Sequence, residues 1–279
     1  MIPAAFDYVR PTTVDEAVAA LAQAGDDAKV LAGGQSLLPV LRLRLAEPAV
    51  LVDLGNIGEL RGIRADGDGL VIGAMTTHGE LAALGEKAPL LAQAAETVGD
   101  RQVRHRGTLG GSLSHADPAG DLPTVAVALD AQLVLAGPGG RRTVPASEFF
   151  VDLFTTALQS DEIVVEVRFP SLAGWGTHYT KVNRTAQAWA TVAVAAAVRR
   201  ENGTIAEARV ALTNMGPTPV RATAVEQALA GQGPDAIEGA AAHAAEGASP
   251  SDDSSASAEY RTHLVKVLTR RALTAACAG

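Results

Sequence analysis

Two glycine pairs, each followed by polar residues, constrain this chain more than any other feature. The first lies in "AGGQS", residues 32–36, at the end of the short buried strand predicted at "KVLA" and before the apolar stretch 37–45; the second lies in "TLGGS", residues 108–112. Glycine pairs let a backbone approach a ligand closely, and successive N–H groups can converge on an anion, aided by a following helix N-terminus. The pattern predicts that both segments grip one anion, such as a diphosphate, with a tight turn as the alternative for each.

Neighbouring side chains support an anion more than a metal. The hydroxyls of Ser36, Thr108 and Ser112 can donate to phosphate oxygens without adding charge. The sequence contains no P-loop motif and no G-x-G-x-x-G after a strand, so the usual P-loop and Rossmann signatures are absent. A metal site at His115, Asp117 and Asp121 is disfavoured, because Pro118 and Gly120 interrupt the helix that would align them; we expect no metal site.

Composition narrows the class of protein. The chain has 279 residues, 47% hydrophobic and 19% charged, enough for one large or two ordinary domains. A net charge of −8 argues against nucleic acid or an anionic membrane as the main partner. The single cysteine, Cys277, cannot form an internal disulfide, a thiolate zinc site or an iron–sulfur cluster. Without a signal peptide pattern or an apolar run of ~18 residues, we expect a cytoplasmic protein with no membrane span.

Local patterns predict alternating helices and hairpins, with a linker near 172–177. A Thr-x-x-Glu capping box opens the first helix at Thr13, and residues 12–54 indicate a small α/β unit. Asp-Gly and Pro-Gly-Gly turns indicate two hairpins before the linker. After it, a long hairpin turning at Asn202-Gly203 and amphipathic helices are expected. The polar, acidic segment 247–259 is predicted to be a mobile surface segment.

The order of the motifs resembles the FAD-binding medium subunit of the molybdenum hydroxylase family. The resemblance is to the aerobic carbon monoxide dehydrogenase type, related to the flavin domain of xanthine dehydrogenase, and covers nearly the whole chain. The segments that carry it are "AGGQSLLP", "LVDLGNIGELRGI", "IGAMTT", "RGTLGGSLSHADPAGDLP", "SDEIVVEVRFP" and "HYTKVNRTAQAWATVAVAAAV". Each segment alone is weak, whereas their combination is specific.

This resemblance implies an α+β fold in two parts. Residues 1–172 would form a two-lobed FAD-binding domain of the vanillyl-alcohol-oxidase-like type, with lobes of about 1–55 and 56–172. Residues 177–279 would form a C-terminal domain with a three-stranded antiparallel sheet and helices. The resemblance also implies that the glycine segments hold the FAD pyrophosphate. The implied cofactor contacts are Ala32, Gly33, Gly34, Gln35, Ser36, Thr108, Leu109, Gly110, Gly111, Ser112, Asp121, Ile163, Lys181 and Trp189.

The family's division of labour implies partners for this chain. A large subunit would carry the molybdenum cofactor and a small subunit two 2Fe–2S clusters, as a dimer of heterotrimers. The FAD here would take electrons from the clusters and pass them to a quinone or another acceptor, so no catalytic acid or base is expected on this chain. Gln35 and Ser112 depart from the pattern of carbon monoxide oxidisers, which leaves xanthine, an aldehyde or an N-heterocycle as alternative substrates.

For three of these residues a purely structural role stays open as the alternative. Ile163 fits a core position, Lys181 a surface lysine, and burial alone would explain Trp189. For the whole chain, the alternatives are a free-standing flavin oxidoreductase and a non-enzymatic anion-binding module. A flavin absorption spectrum would distinguish a flavoprotein from a non-enzymatic anion-binding module. Activity measured with and without partner subunits would distinguish a free-standing oxidoreductase from a subunit of a complex.

Overall fold

Among the described residues, three sheets of three to five strands and one two-stranded sheet organise the chain. The computed structural model describes residues 2–278, so the outermost residues of the predicted ranges 1–172 and 177–279 lie outside it. In that described part, no helix is both long and apolar enough to cross a membrane.

The first sheet is parallel, with the strand order β1-β3-β2. The predicted capping box is present: Thr13 accepts a hydrogen bond from the Glu16 backbone, and the Glu16 carboxylate accepts from Thr13. The first helix then ends at Gly25, whose φ of +60° suits a residue without a Cβ. The elements are β1 (Asp7–Val9), α1 (Val14–Ala24), β2 (Ala28–Leu31), α2 (Leu37–Arg42) and β3 (Val50–Asp53).

The second sheet is antiparallel, with the order β4-β5-β10-β6-β7. Both hairpins predicted from glycine turns are formed, and β10, which has five buried residues out of seven, pairs with one strand of each hairpin at the centre of the sheet. The strands are β4 (Ile63–Asp66), β5 (Gly69–Gly73), β6 (Gln132–Gly137), β7 (Gly140–Pro145) and β10 (Ile163–Phe169), with β8 (Phe150–Asp152) and β9 (Thr155–Thr156) as a separate hairpin. The helices are α3 (His78–Ala82), α4 (Pro89–Glu96), α5 (Arg101–Arg106), α6 (Leu109–His115), α7 (Asp121–Ala128) and α8 (Ala146–Phe149).

The third sheet forms the C-terminal part, with the order β11-β12-β13-β14. Its long hairpin turns at Asn202 and Gly203, both with positive φ, as the Asn-Gly pair predicts. The α+β fold is confirmed, with a two-residue edge strand added to the three long strands. The elements are β11 (Trp175–Val182), β12 (Val192–Glu201), β13 (Thr204–Thr213), β14 (Val220–Arg221), α9 (Thr223–Leu229), α10 (Ile237–Ala241) and α11 (Ala258–Ala278).

One buried apolar cluster joins the second and third sheets. Tyr179, Ala193 and Ala195 of the C-terminal sheet belong to the same cluster as Leu90 and Leu113 of the preceding helices. The acidic segment before α11 is irregular and exposed, but it is tied down, because Asp253 pairs with Arg261 at 2.6 Å. The cluster places α7 directly beneath the third sheet, where the polar site residues meet.

Candidate functional site

The first glycine segment leaves a row of backbone donors free. It follows β2 directly, and Gly34 has a φ of +78°, which a residue with a Cβ adopts only under strain. The N–H groups of Gly33, Gly34, Gln35 and Ser36 donate to no backbone carbonyl among residues 2–278. Four consecutive donors at the start of α2 form the kind of concavity that binds an anion.

The second segment has a different geometry from the expected loop. Gly110 and Gly111 lie in the first turn of α6, and neither has a positive φ. The Leu109 N–H donates to Thr76 at 2.9 Å and that of Gly110 to Ala74 at 2.8 Å. Those of Gly111 and Ser112 donate to the side chain and the carbonyl of Thr108, at 3.1 and 3.0 Å. The expectation of free backbone donors here is wrong, because the carbonyls of Ala74 and Thr76 accept two of them and the helix cap Thr108 accepts the other two. What this segment can offer a ligand is its hydroxyl groups, those of Thr108 and Ser112.

The fold brings the two segments into contact. A Cβ placed on Gly33 would overlap the carbonyl oxygen of Arg106, two residues before Thr108. A Cβ placed on Gly111 would lie 3.4 Å from that of Ala32. The free donors of the first segment and the start of α6 therefore border the same space.

Asp121 and Lys181 form a buried ion pair between α7 and β11. The Lys181 ammonium lies 2.8 Å from one Asp121 oxygen and donates to the Thr97 carbonyl at 3.1 Å. The Tyr179 hydroxyl donates to the other Asp121 oxygen at 2.6 Å. The two charged side chains are 5% and 2% exposed, so each depends on the other for compensation.

Burial shifts the pKa values of Asp121 and Tyr179. It raises the pKa of Asp121 above its usual range, while the Lys181 ammonium opposes the shift by favouring the carboxylate. Burial and the Asp121 charge raise the pKa of Tyr179 well above its ordinary value. Tyr179 therefore stays a neutral donor, and the network ends in a bond between Thr213 and Thr124 at 2.7 Å.

Ile163 and Trp189 occupy opposite environments. Ile163 is 2% exposed, inside an apolar cluster against which Ala32 packs. Trp189 is 54% exposed on the segment before β12, so it is not buried as the apolar pattern suggested. A bond of 2.7 Å from Gln187 to Asp100 ties that segment to the start of α5. Side chains at these two positions thus differ in their access to a ligand.

Two residues at this site were not predicted from the sequence. Tyr179 lies two positions before Lys181 on one strand, so the alternation of β-strands places both on one face. His78 is the first residue of α3, directly after Thr77, which forms a capping box with Glu80, and its ring contacts the carbonyl of Thr108 at 3.0 Å. Within residues 2–278, no three His, Cys, Asp or Glu side chains are grouped to hold a metal, and His115 lies 3.9 Å from Asp117.

Comparison with known proteins identifies the family to which the chain belongs. The model of the FAD-binding domain in molybdopterin dehydrogenases matches residues 4–172. The chain belongs to this family. The model of the carbon monoxide dehydrogenase flavoprotein C-terminal domain matches residues 177–276. The protein is therefore an FAD-binding oxidoreductase subunit of the molybdenum hydroxylase type, and the predicted resemblance is confirmed.

Relatives match over the full length of the chain. The carbon monoxide dehydrogenase medium chain of Hydrogenophaga pseudoflava is 44% identical, with 100% of this chain and 99% of the relative covered. The glyceraldehyde dehydrogenase medium chain of Sulfolobus acidocaldarius is 36% identical, with 98% of each covered. A solved carbon monoxide dehydrogenase from Hydrogenophaga pseudoflava superposes with a TM-score of 0.97, at 46% identity, over 100% of this chain and 99% of its own.

Proposed function

We propose that FAD binds across the two glycine segments, with its pyrophosphate on the free donors of residues 33–36. The observation that carries this proposal is the row of four N–H groups without a backbone acceptor, next to the residues that lead into α6. The hydroxyl of Ser36 would add a further donor. Asp121, Ile163, Lys181 and Trp189 would flank the rest of the cofactor.

The bound flavin would supply the redox chemistry, and the chain would supply binding and orientation. Electrons would arrive from the 2Fe–2S clusters of a small partner subunit and leave to a quinone or another acceptor. A large partner subunit would oxidise the substrate at a molybdenum cofactor, in a cytoplasmic dimer of heterotrimers. No residue here needs to move a proton, and Lys181 would flank the flavin while paired with Asp121.

Carbon monoxide is the substrate that the 44% identity to the Hydrogenophaga medium chain favours. Gln35 and Ser112 favour another hydroxylase substrate, and the 36% identity to a glyceraldehyde dehydrogenase medium chain supports an aldehyde as the alternative. We place the boundary between the two parts of the chain at about 172–177, after β10 has ended at Phe169 and around the start of β11 at Trp175.

Turnover should require the partners. We expect the isolated chain to reduce a tetrazolium dye with none of the candidate substrates, and the chain assembled with the large and small subunits to do so with one of them. The chain has no cysteine pair for a cluster, since Cys277 is its only cysteine. Full activity of the isolated chain would instead identify a free-standing flavin oxidoreductase.

The flavin should be held without a covalent bond. Neither glycine segment contains a cysteine, and the nearby histidines at 105 and 115 are the only side chains there that could bond to the isoalloxazine. Acid precipitation of the assembled protein should release all yellow colour into the supernatant. A yellow pellet after washing would contradict this.

A further inference from the structure

His78 is buried against the second glycine segment and takes no part in the contacts proposed above. Its ring nitrogen Nε2 lies 3.0 Å from the carbonyl oxygen of Thr108, and its backbone N–H donates to the carbonyl of Gly107 at 2.9 Å. Because a carbonyl only accepts hydrogen bonds, Nε2 carries the hydrogen. One residue thus fixes two consecutive peptide units at the entry to α6.

The ring also acts as a spacer. A Cβ placed on Gly107 would lie 3.0 Å from Cε1 and Nδ1 of His78, so the backbone is already packed onto the ring. Nδ1 has no hydrogen-bond partner among the described residues. Burial lowers the pKa of His78 to about 4, which keeps the ring neutral near pH 7. A neutral, enclosed ring has a fixed size and makes one directional bond.

The segment that His78 holds also touches the first glycine segment. The carbonyl oxygen of Arg106 is the atom that a Cβ on Gly33 would overlap. Thr108 accepts the hydrogen bonds of Gly111 and Ser112, which start α6. Displacing residues 106–108 would therefore change both the position of Ser112 and the distance between the two segments.

We propose that His78 is a positioning residue for FAD, which sets the spacing between the free donors of residues 33–36 and the start of α6. It does so through the hydrogen bond to Thr108 and its packing on Gly107. This inference rests on the proposed function, since it assumes that FAD lies between the two segments.

Four variants of the full chain test it. His78→Leu removes the donor, His78→Gln places an amide donor where Nε2 lies, and His78→Asn has a donor too short to reach. Thr76→Val is the matched control, because Thr76 is buried like His78 and its hydroxyl bonds to Gly62 at 3.2 Å, while its backbone carbonyl, which accepts the Leu109 N–H, is kept in the variant. FAD affinity is measured by flavin fluorescence titration, and the melting temperature of each FAD-free variant is recorded alongside.

His78→Leu and His78→Asn should weaken FAD binding by tenfold or more, His78→Gln by less than threefold. Thr76→Val should lower the melting temperature and leave the affinity within threefold of the parent. If His78→Leu does not fold, the difference between His78→Gln and His78→Asn decides. Equal affinities of those two variants, or an equal loss in Thr76→Val, would overturn the inference. Failure of the parent chain to bind FAD at these segments would instead overturn the proposed function.

Discussion

At the residue scale, the two glycine segments differ in the hydrogen bonds that their backbone N–H groups make. The N–H groups of residues 33–36 have no backbone acceptor, whereas that of Gly110 donates to the Ala74 carbonyl and that of Gly111 to the helix cap Thr108. The side-chain oxygen of Thr108 caps the helix by accepting the Gly111 N–H, and its own hydroxyl hydrogen is not used in that bond. The proposed anion site would therefore take its backbone donors from the first segment.

Gly33→Ala should weaken FAD binding by roughly tenfold or more. The added Cβ overlaps the Arg106 carbonyl, so the donors must shift, and a hydrogen bond to a charged group contributes about 1.5–3 kcal/mol, where 1.4 kcal/mol is tenfold in affinity. Gly139→Ala is the matched control, because a Cβ there meets nothing within 4 Å. Flavin titration of both variants checks the difference, and an unchanged affinity of Gly33→Ala would contradict the assignment of these donors.

The FAD-free protein should lose stability as pH falls from about 6.5 toward 4, in part through His78. The folded-state pKa of about 4 lies below the ordinary 6.5, so the unfolded chain takes up the proton first and acid favours unfolding. At pH 5 this amounts to about 2 kcal/mol of unfolding free energy, from 1.4 kcal/mol per pKa unit. Urea titrations at pH 7 and pH 5 should show that His78→Gln loses less stability than the parent, and parallel losses would contradict the depressed pKa.

At the scale of elements, a buried ion pair joins α7 to β11. Asp121 is the first residue of α7, while Lys181 and Tyr179 share one face of β11. The pair lies inside the cluster that unites the second and third sheets, where an unpaired charge has no water to stabilise it. The junction is therefore sensitive to the loss of either partner alone.

Lys181→Met should destabilise the FAD-free protein by about 3–5 kcal/mol, because it leaves the Asp121 carboxylate buried without its counter-charge. The double variant with Asp121→Asn should recover part of that loss, since no charge is then left unpaired. Urea unfolding of the two single variants and the double variant completes the cycle. Strictly additive losses would show that the two side chains do not interact as the geometry indicates.

At the scale of the whole molecule, the parts before and after the linker share one core. Tyr179, Ala193 and Ala195 pack into the same cluster as Leu90, and the Arg221 guanidinium bonds to Asp130 at 2.8 Å across the junction. Neither part can be removed without exposing apolar surface of the other. The linker thus marks a change of sheet and not a separation of cores.

We therefore expect the FAD-free chain to unfold in a single cooperative thermal transition, and a chain ending at residue 172 not to fold. Differential scanning calorimetry of the full chain checks this, with Lys181→Met as a variant that should shift the whole transition. Two resolved transitions, with only one moved by Lys181→Met, would show that the parts fold independently.

Sequence alone determined the features that depend on neighbours along the chain. The capping boxes at Thr13 and Thr77, the Asn202-Gly203 turn and the alternation of β11 are local, so short-range sterics and hydrogen bonding fix them. The order of motifs was equally legible, and it identified the family. The two glycine pairs could not be told apart in the sequence, because glycine permits several backbone conformations.

Only the tertiary structure decided which glycine pair keeps its donors free. The carbonyls of Ala74 and Thr76, which take the N–H groups of Gly110 and Leu109, lie more than thirty residues earlier in the chain. Asp121 likewise became an ion pair, because folding brought Lys181 to it from sixty residues away. Such pairings depend on how elements pack across the core, and the free energy of that packing is not encoded in any single segment.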